Sequence, residues 1–284
     1  MALPESAVGM SVATKANIDA WFERIGFAGS IAPSLETLGQ LMQLHLSAIP
    51  FENLDPLMRV PVRLELANLQ QKLLFDRRGG YCLEHNLLFK AMLEELDFAV
   101  KLHAATVLWG QVEPVDGPPT HVLLTVDIAG SSYLVDVGFG GQTPTAPLRL
   151  RADVEQATPH EPCRLSQTDG LWRLESQIGA EWQPLYAFTT AEPEADALVR
   201  MNESVSSSPA FRERLVAARV DKGRRLALRN LRFNIHAIGG DSETRLLGSV
   251  AELREVLSGP FGIALPNDER LEPALHKVVE RGAA

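Results

Sequence analysis

A ten-residue run, Arg77-Arg78-Gly79-Gly80-Tyr81-Cys82-Leu83-Glu84-His85-Asn86, carries the residue types of a covalent catalyst. The apolar pattern that follows places Cys82 at the start of a helix. A cysteine there meets the positive end of the helix dipole, and the two preceding arginines add positive charge. Both favour the thiolate, the nucleophilic form. Gly79 and Gly80 allow a tight turn and close approach of a ligand to the backbone. The run equally fits a buried cysteine in a helix cap, so its chemistry depends on partners. A nucleophilic cysteine needs a base, and the base needs a group that orients it. His121 opens an apolar strand just past Pro118-Pro119, where a side chain can sit at a rim. Asp136 interrupts the apolar run Tyr133-Leu134-Val135-Asp136-Val137, which leads into Gly138-Phe139-Gly140-Gly141. A carboxylate buried in such a strand is costly unless something pairs with it. Taken singly, His121 also fits an exposed or satisfied histidine, and Asp136 a turn or cap residue.

The other histidines compete less well. His85 lies three residues past Cys82 and can share its helix face, but one turn deeper it is less free to orient. His103, His160, His236 and His276 have no suggestive Asp or Cys beside them. No Cys/His spacing fits a zinc site, so no metal is expected. Gly138 to Gly141 has neither the Lys-Ser/Thr ending nor the spacing of a nucleotide fingerprint, and alone is a weak phosphate signal.

The elements that must position these groups change character along the chain. Ile18, Trp21, Phe22 and Ile25 mark one face of a helix that Gly26 ends. Ser34, with Glu36 and Thr37, opens a second helix carrying Leu38, Leu41, Leu44 and Leu46. Pro50 forces an extended or turning segment through Leu54. Leu64 to Leu74 predicts a third helix and Cys82 to Leu96 a fourth, so the first hundred residues form a helical bundle. Strand patterns then take over: Lys101–Trp109, His121–Ile128, Ser132–Val137, Leu148–Val154, Cys163–Gln167, Leu171–Ser176 and Trp182–Phe188. Turn clusters at Pro114–Pro119 and Gly130-Ser131 separate the first three strands. This succession predicts an antiparallel sheet or barrel. Beyond it, Pro193–Val205 predicts a helix, Val216–Ile238 two strands around Lys222-Gly223, and Ser249–Leu257 a helix capped by Ser249 with Glu252. Residues 1–15 have no period and predict a loose leader in which Met10 is an alternative start.

Composition narrows the function classes. The chain has 284 residues, 45% hydrophobic and 22% charged, an ordinary globular balance. Its net charge of −9 opposes binding to a nucleic-acid backbone or an anionic membrane. No apolar run is long enough to span a bilayer, and the N-terminus lacks a secretory pattern. Two cysteines, Cys82 and Cys163, make no disulfide framework, and a cytoplasmic location is expected.

Together these motifs resemble the arylamine N-acetyltransferase family, from about Ile18 to Pro266. The resemblance rests on Ala20-Trp21-Phe22-Glu23-Arg24-Ile25-Gly26, Ile49-Pro50-Phe51-Glu52-Asn53-Leu54, Arg78-Gly79-Gly80-Tyr81-Cys82 with Asn86, Thr120-His121-Val122-Leu123-Leu124 and Val135-Asp136-Val137-Gly138-Phe139-Gly140. It implies an α+β fold with a cysteine-protease-like Cys-His-Asp core. A helical bundle (1–100) would carry the nucleophile, a β-barrel (101–206) the histidine and aspartate, and an α/β lid (207–284) would follow. The triad maps onto Cys82, His121 and Asp136, with Glu52 and Arg78 paired nearby to hold it in place. The implied activity is acetyl transfer from acetyl-CoA to an arylamine or arylhydrazine through an acetyl-Cys82 thioester, as in xenobiotic metabolism. Phe51 and Phe139 would line the acceptor slot, and Trp109, Thr120, Gly140 and Phe211 would contact CoA. A related acyltransferase or amide synthase with another donor or acceptor is the alternative on the same fold. A papain- or transglutaminase-like hydrolase would instead transfer to water. The acceptor, the acyl chain and the oligomeric state stay open. Two departures from the family pattern stand out: His85, where Gln or another polar residue is common, and the 15-residue leader.

Overall fold

The computed structural model describes residues 15–111 and 117–282. The leader, except Lys15, and residues 112–116, which include the first half of the Pro114–Pro119 turn cluster, lie outside them. The chain opens with α1 (Ile18–Ile25) and α2 (Leu35–Ala48). The Asn17 side chain caps α1 by accepting from the Ala20 N–H, and Gly26 ends it in the left-handed region. Ser34 caps α2 through the Thr37 N–H. Trp21 and Ile25 bury against Leu38, Leu41 and Met42. After Pro50 come a two-residue strand β1 (Phe51–Glu52) and a short helix α3 (Leu54–Leu57). Leu54, the last residue of the segment expected to be extended or turning, thus starts a helix. The third expected helix is α4 (Leu66–Gln70), which widens into a π-turn over Gln71–Phe75. The fourth is α5 (Cys82–Glu95). Cys82, Leu83, His85, Asn86, Leu88 and Phe89 on it are all buried, so α5 runs through the interior with no solvent face along its first half.

Eight strands follow: β2 (Ala99–Val107), β3 (His121–Ile128), β4 (Ser131–Val135), β5 (Leu148–Arg149), β6 (Val154–Gln156), β7 (Cys163–Thr168), β8 (Leu171–Ile178) and β9 (Glu181–Phe188). They form one antiparallel sheet in the order β5-β4-β3-β2-β9-β8-β7-β6. The edges β5 and β6 do not pair as strands. Instead the Gln156 side chain donates to the Arg149 carbonyl at 2.9 Å and accepts its N–H at 2.7 Å, so the sheet nearly closes into a barrel. The single strand expected over Leu148–Val154 is two, because Asp153 turns with φ +58°. Trp109 lies past the end of its strand. β3 is buried on both faces: Val122, Leu124 and Val126 join the helical core, while Leu123 faces the barrel interior with Leu134, Leu174 and Phe188.

The C-terminal third has α6 (Ala195–Ser207), α7 (Pro209–Arg212), β10 (Val216–Asp221), β11 (Arg224–Arg229), β12 (Arg232–Ala237), β13 (Ser242–Leu246), α8 (Val250–Ser258) and α9 (Leu271–Gly282). Where two strands were expected around Lys222-Gly223 there are three, and β13 adds a fourth. β1 joins them at the edge, giving the order β1-β10-β11-β12-β13. Phe51 opposes Ala218 and Glu52 opposes Ala217. Leu253, Val256 and Leu257 of α8 and Leu271, Leu275 and Val278 of α9 bury with this sheet. The sequence reading missed α9 although its apolar residues recur at helical spacing. Pro273 there reads as a breaker, but it falls in the first turn, where no intrahelical bond is lost.

Candidate active site

Three elements deliver one side chain each to a common point: Cys82 from the first position of α5, His121 from the first position of β3, and Asp136 from just beyond β4. All three are buried. His121 Nε2 meets Asp136 Oδ2 at 2.7 Å, which leaves Nδ1 as the ring nitrogen free to serve Cys82. Cys82 Sγ lies 3.8 Å from the carbonyl oxygen of Thr120, the residue before His121. The second oxygen of Asp136 is also used. Asp136 Oδ1 accepts from Asn86 Nδ2 at 3.0 Å and from the Gly138 N–H at 2.8 Å.

Asn86 ties the arrangement together. It stands on α5 one turn past Cys82. Its amide donates to the Val122 carbonyl at 2.8 Å as well as to Asp136, and its oxygen accepts the Val137 N–H at 3.1 Å. One side chain thus joins the helix that carries Cys82 to β3 and to the segment that follows β4. Gly138 permits the approach: a Cβ there would stand 2.8 Å from Cys82 Cα and 2.9 Å from Asn86 Nδ2. Asn86 carries no recognisable chemistry of its own in the sequence, and its role emerges only in three dimensions.

The electrostatics follow from these contacts. Burial pushes the Asp136 carboxyl up, but His121, Asn86 and the Gly138 N–H outweigh it and hold the group below its ordinary range. Burial likewise opposes a charged His121, yet the Asp136 carboxylate and the neighbouring Cys82 sulfur raise it to about 10. These contacts favour the imidazolium form of His121. Burial pushes the other thiol, Cys163 on β7, up to about 12. Cys163 belongs to the barrel core and donates to the Glu161 carbonyl.

The alternative base is removed by geometry. His85 turns away from the triad: Nδ1 meets His45 Nε2 at 3.0 Å and Nε2 meets the Pro50 carbonyl at 3.1 Å. Trp21 Nε1 donates to His45 Nδ1 at 3.3 Å, completing a buried chain. His103 and His160 are likewise bonded elsewhere, His103 to Thr125 and Ala191 and His160 to the Asp221 carbonyl.

The Glu52–Arg78 pair is present and larger than expected. Arg78 Nη2 meets Glu52 Oε1 at 2.7 Å, and its Nη1 meets Asp55 at 2.6 Å. Lys72, inside the π-turn, bridges Asp55 at 2.6 Å and Glu84 at 2.7 Å. Glu84 in turn accepts the Tyr81 N–H, so the network ends on the residue preceding Cys82. Asp55, Lys72 and Glu84 were not expected. Acids and a lysine separated by 12 to 29 residues give no local pattern.

Around the triad the aromatic residues divide. The Phe139 ring lies 5.2 Å from the His121 ring. Phe51 packs edge-on to Phe211 at 6.5 Å, and Phe211 to Tyr81 at 5.5 Å. Gly140 stands against the Phe51 ring. Trp109 is exposed at the end of β2, with its N–H on the Leu185 carbonyl. Tyr186 on β9, which sequence reasoning missed, packs 5.0 Å from His121, and its buried hydroxyl has no hydrogen-bond partner among the described residues. Nothing distinguishes it in sequence from any other aromatic in a strand. Among the described residues no group of three His, Cys, Asp or Glu side chains is placed to hold a metal ion.

Comparison with known proteins agrees with this geometry. A family model described as N-acetyltransferase matches residues 34–270. The arylamine N-acetyltransferase of Mycobacterium tuberculosis H37Rv is 42% identical over 254 residues, covering 87% of this chain and 89% of that protein. The Escherichia coli K12 enzyme of the same name is 37% identical, with 86% and 88% covered. Among solved structures, that of the Mycobacterium marinum arylamine N-acetyltransferase in complex with CoA superposes with a TM-score of 0.87 at 39% identity, covering 92% of this chain and 99% of that one. The Mycobacterium smegmatis enzyme gives 0.88 at 37% identity, with 93% and 99% covered. Matched along nearly its whole length in both sequence and fold, the chain belongs to the arylamine N-acetyltransferase family.

Proposed function

We propose that this protein transfers an acetyl group from acetyl-CoA to the nitrogen of an arylamine or arylhydrazine, with Cys82, His121 and Asp136 as its catalytic triad. The observation that carries the reading is the 2.7 Å His121–Asp136 pair beside the cysteine at the start of α5. In the first half-reaction the Cys82 thiolate attacks the thioester carbonyl. The tetrahedral intermediate collapses with loss of the CoA thiolate, which takes the proton of the His121 imidazolium. Cys82 now carries the acetyl group and His121 is neutral. In the second half-reaction the amine attacks the acetyl-Cys82 carbonyl. His121 accepts the amine proton, the Cys82 thiolate leaves, and the starting ion pair is restored. Unpaired N–H groups in the first turn of α5 are suited to stabilising the oxyanion in both halves. Exchange between two thioesters is close to isoenergetic, so the acetyl-enzyme is not a deep trap. Arylamines are weakly basic and arrive neutral, hence nucleophilic.

Asp136 orients His121 and stabilises its charge, while Glu52 and Arg78 hold the segment beside it. Phe51 and Phe139 line the acceptor slot. Thr120 beside the cysteine, Gly140 and Phe211 beside Phe51, and the exposed Trp109 contact CoA. Three apolar clusters, centred on bundle, barrel and C-terminal sheet, support the division at 1–100, 101–206 and 207–284, although the bundle cluster also takes in Val122, Leu124 and Val135 of the second segment and Val220 of the third. β1 and α3 likewise pack with the C-terminal sheet. No described helix is long and apolar enough to cross a membrane, which accords with work in the cytoplasm on foreign amines.

Incubation with acetyl-CoA and no amine tests the mechanism. One acetyl group should appear on Cys82 by intact mass and peptide mapping, and hydroxylamine should remove it. Cys82→Ala should lose both acetylation and transfer, while Cys163→Ala keeps them. Acetate formed as fast as amide would point to a hydrolase instead.

A further inference from the structure

Both walls of the acceptor slot are fastened to the C-terminal sheet. Phe51 is held by backbone pairing, since β1 lies against β10. The opposite wall is the loop after Asp136, which carries Phe139. It is tied to the C-terminal sheet through the side chain of Arg225 on β11. The Arg225 guanidinium is 3% exposed. Its Nη1 donates to the Thr143 carbonyl at 3.0 Å and to the Gly141 carbonyl at 3.3 Å. Its Nε and Nη2 meet one oxygen of Glu161 at 2.8 and 2.7 Å. Thr143 in turn donates twice to the Gly140 carbonyl, through its N–H at 3.2 Å and its hydroxyl at 2.8 Å. Gly140 has φ +91°, and a Cβ built on it would lie 3.6 Å from the Phe51 ring, so this backbone stands against the first wall. The chain of contacts runs from Arg225 through Thr143 and Gly140 to Phe139, whose ring is 5.2 Å from His121.

A buried guanidinium contributes little net stability, because desolvation offsets its pairing. Its planar fork can nevertheless fix two converging carbonyls and a carboxylate at once, which a lysine cannot do. Resting on the acceptor slot proposed above, we infer that Arg225 is a specificity-determining positioning residue. It sets the distance between the Phe139 and Phe51 walls, and so the breadth of aromatic amine admitted to the acetyl-enzyme.

The test is the ratio of kcat/KM for a narrow acceptor, 4-methylaniline, to that for a broad one, 2-aminofluorene. In a ping-pong reaction kcat/KM for the acceptor reports only its encounter with the acetyl-enzyme. Effects on CoA binding, on Cys82 and on the His121–Asp136 pair therefore cancel in the ratio. Arg225→Met should loosen the loop and lower the narrow-to-broad ratio about fivefold or more, a change within the range that pocket shape commands. Arg225→Lys, which keeps a donor but not the fork, should recover part of it. A role in folding alone would lower both rates together, so an unchanged ratio in folded Arg225→Met overturns the inference. If Arg225→Met does not fold, Glu161→Gln weakens the same clamp and should shift the ratio in the same direction; an unchanged ratio there overturns it equally. Phe139→Ala, measured in parallel, separates this inference from the slot itself. A shift in Phe139→Ala but not in Arg225→Met sinks only the role of Arg225, and no shift in either sinks the slot.

Discussion

Two buried histidines, His85 on α5 and His121 at the start of β3, are pushed in opposite directions by their surroundings. His121 and His85 are both almost wholly excluded from solvent. Burial pushes His85 down to about 4, and it remains neutral. The same burial acts on His121, yet that ring is raised to about 10. The difference is the partner. His121 faces a carboxylate, whereas His85 faces a carbonyl and a second imidazole. Desolvation costs the two rings alike, and only a full counter-charge outweighs it. His45 is likewise pushed well below its ordinary value, so Trp21–His45–His85–Pro50 is a chain of neutral donors and acceptors. Each N–H points one way along it: Trp21 to His45, His45 to His85, His85 to Pro50. The first region is built to hold a charge, the second to fix a loop.

Removing the charge that distinguishes them should produce the largest effect. Asp136→Asn keeps the shape and much of the hydrogen bonding but gives His121 a neutral neighbour, as His85 has. The same swap in a serine triad costs about four orders of magnitude in turnover. Here we expect a loss of about two to four orders in kcat/KM, with slower iodoacetamide labelling of Cys82 at neutral pH. Folding must be checked by circular dichroism, because Asp136 also anchors Asn86 and Gly138. An unchanged labelling profile in the folded variant would make Asp136 a scaffold residue.

Breaking the neutral chain should act on stability instead. His85→Leu leaves a buried His45 N–H without its partner, which costs about 1–3 kcal/mol, and leaves the Pro50 carbonyl with only the long 3.4 Å contact from the Gly80 N–H. Urea unfolding should show a lower midpoint with an unchanged slope. The remaining folded enzyme should keep its turnover to within a small factor, and a loss as deep as that of Asp136→Asn would erase the contrast between the two histidines.

The two regions should also shape opposite limbs of the stability–pH curve. His45 and His85 have depressed values in the folded state. Their contribution is present above the unfolded value of about 6.5 and is lost as pH falls through the folded values, about 4 for His85 and well below the ordinary range for His45. His121 is raised, so its contribution is present below about 6.5 and is lost as pH rises through about 10. His85→Gln should flatten the acid limb, and Asp136→Asn the alkaline one. Chemical denaturation at stepped pH would reveal each, and an acid limb in His85→Gln parallel to that of the wild type would contradict the assignment. His85→Gln itself should be the mildest change, within about 1 kcal/mol at neutral pH, because the amide can still donate to the Pro50 carbonyl.

Much of this was legible in sequence where the signal is local. The faces of α1 and α2, the start of α5 and the strands β3, β7 and β8 follow from apolar spacing and capping residues a few positions apart. β13 was not legible, because all five of its residues are exposed and show no alternation. The division of Leu148–Val154 into β5 and β6 depends on Asp153 adopting a left-handed turn that an apolar count does not register. In the site, Cys82, His121 and Asp136 each sit at a boundary between elements, which made them conspicuous. Tyr186 sits in mid-strand and was not.

The sequence by itself determined where the candidate residues stand: a cysteine opening a helix, a histidine opening a strand, an acid just past the end of one. Helix and strand patterns decide that much, because they reach only a few residues along the chain. Tertiary structure decided the charge of each histidine, the use of Asn86 as the tie between α5 and two strands, the Lys72 bridge from Asp55 to Glu84, and the Gln156 contact that nearly closes the barrel. Those contacts join residues 7 to 51 positions apart. A buried polar group takes whichever partner the fold brings to it, and at such separations no periodicity along the chain names that partner.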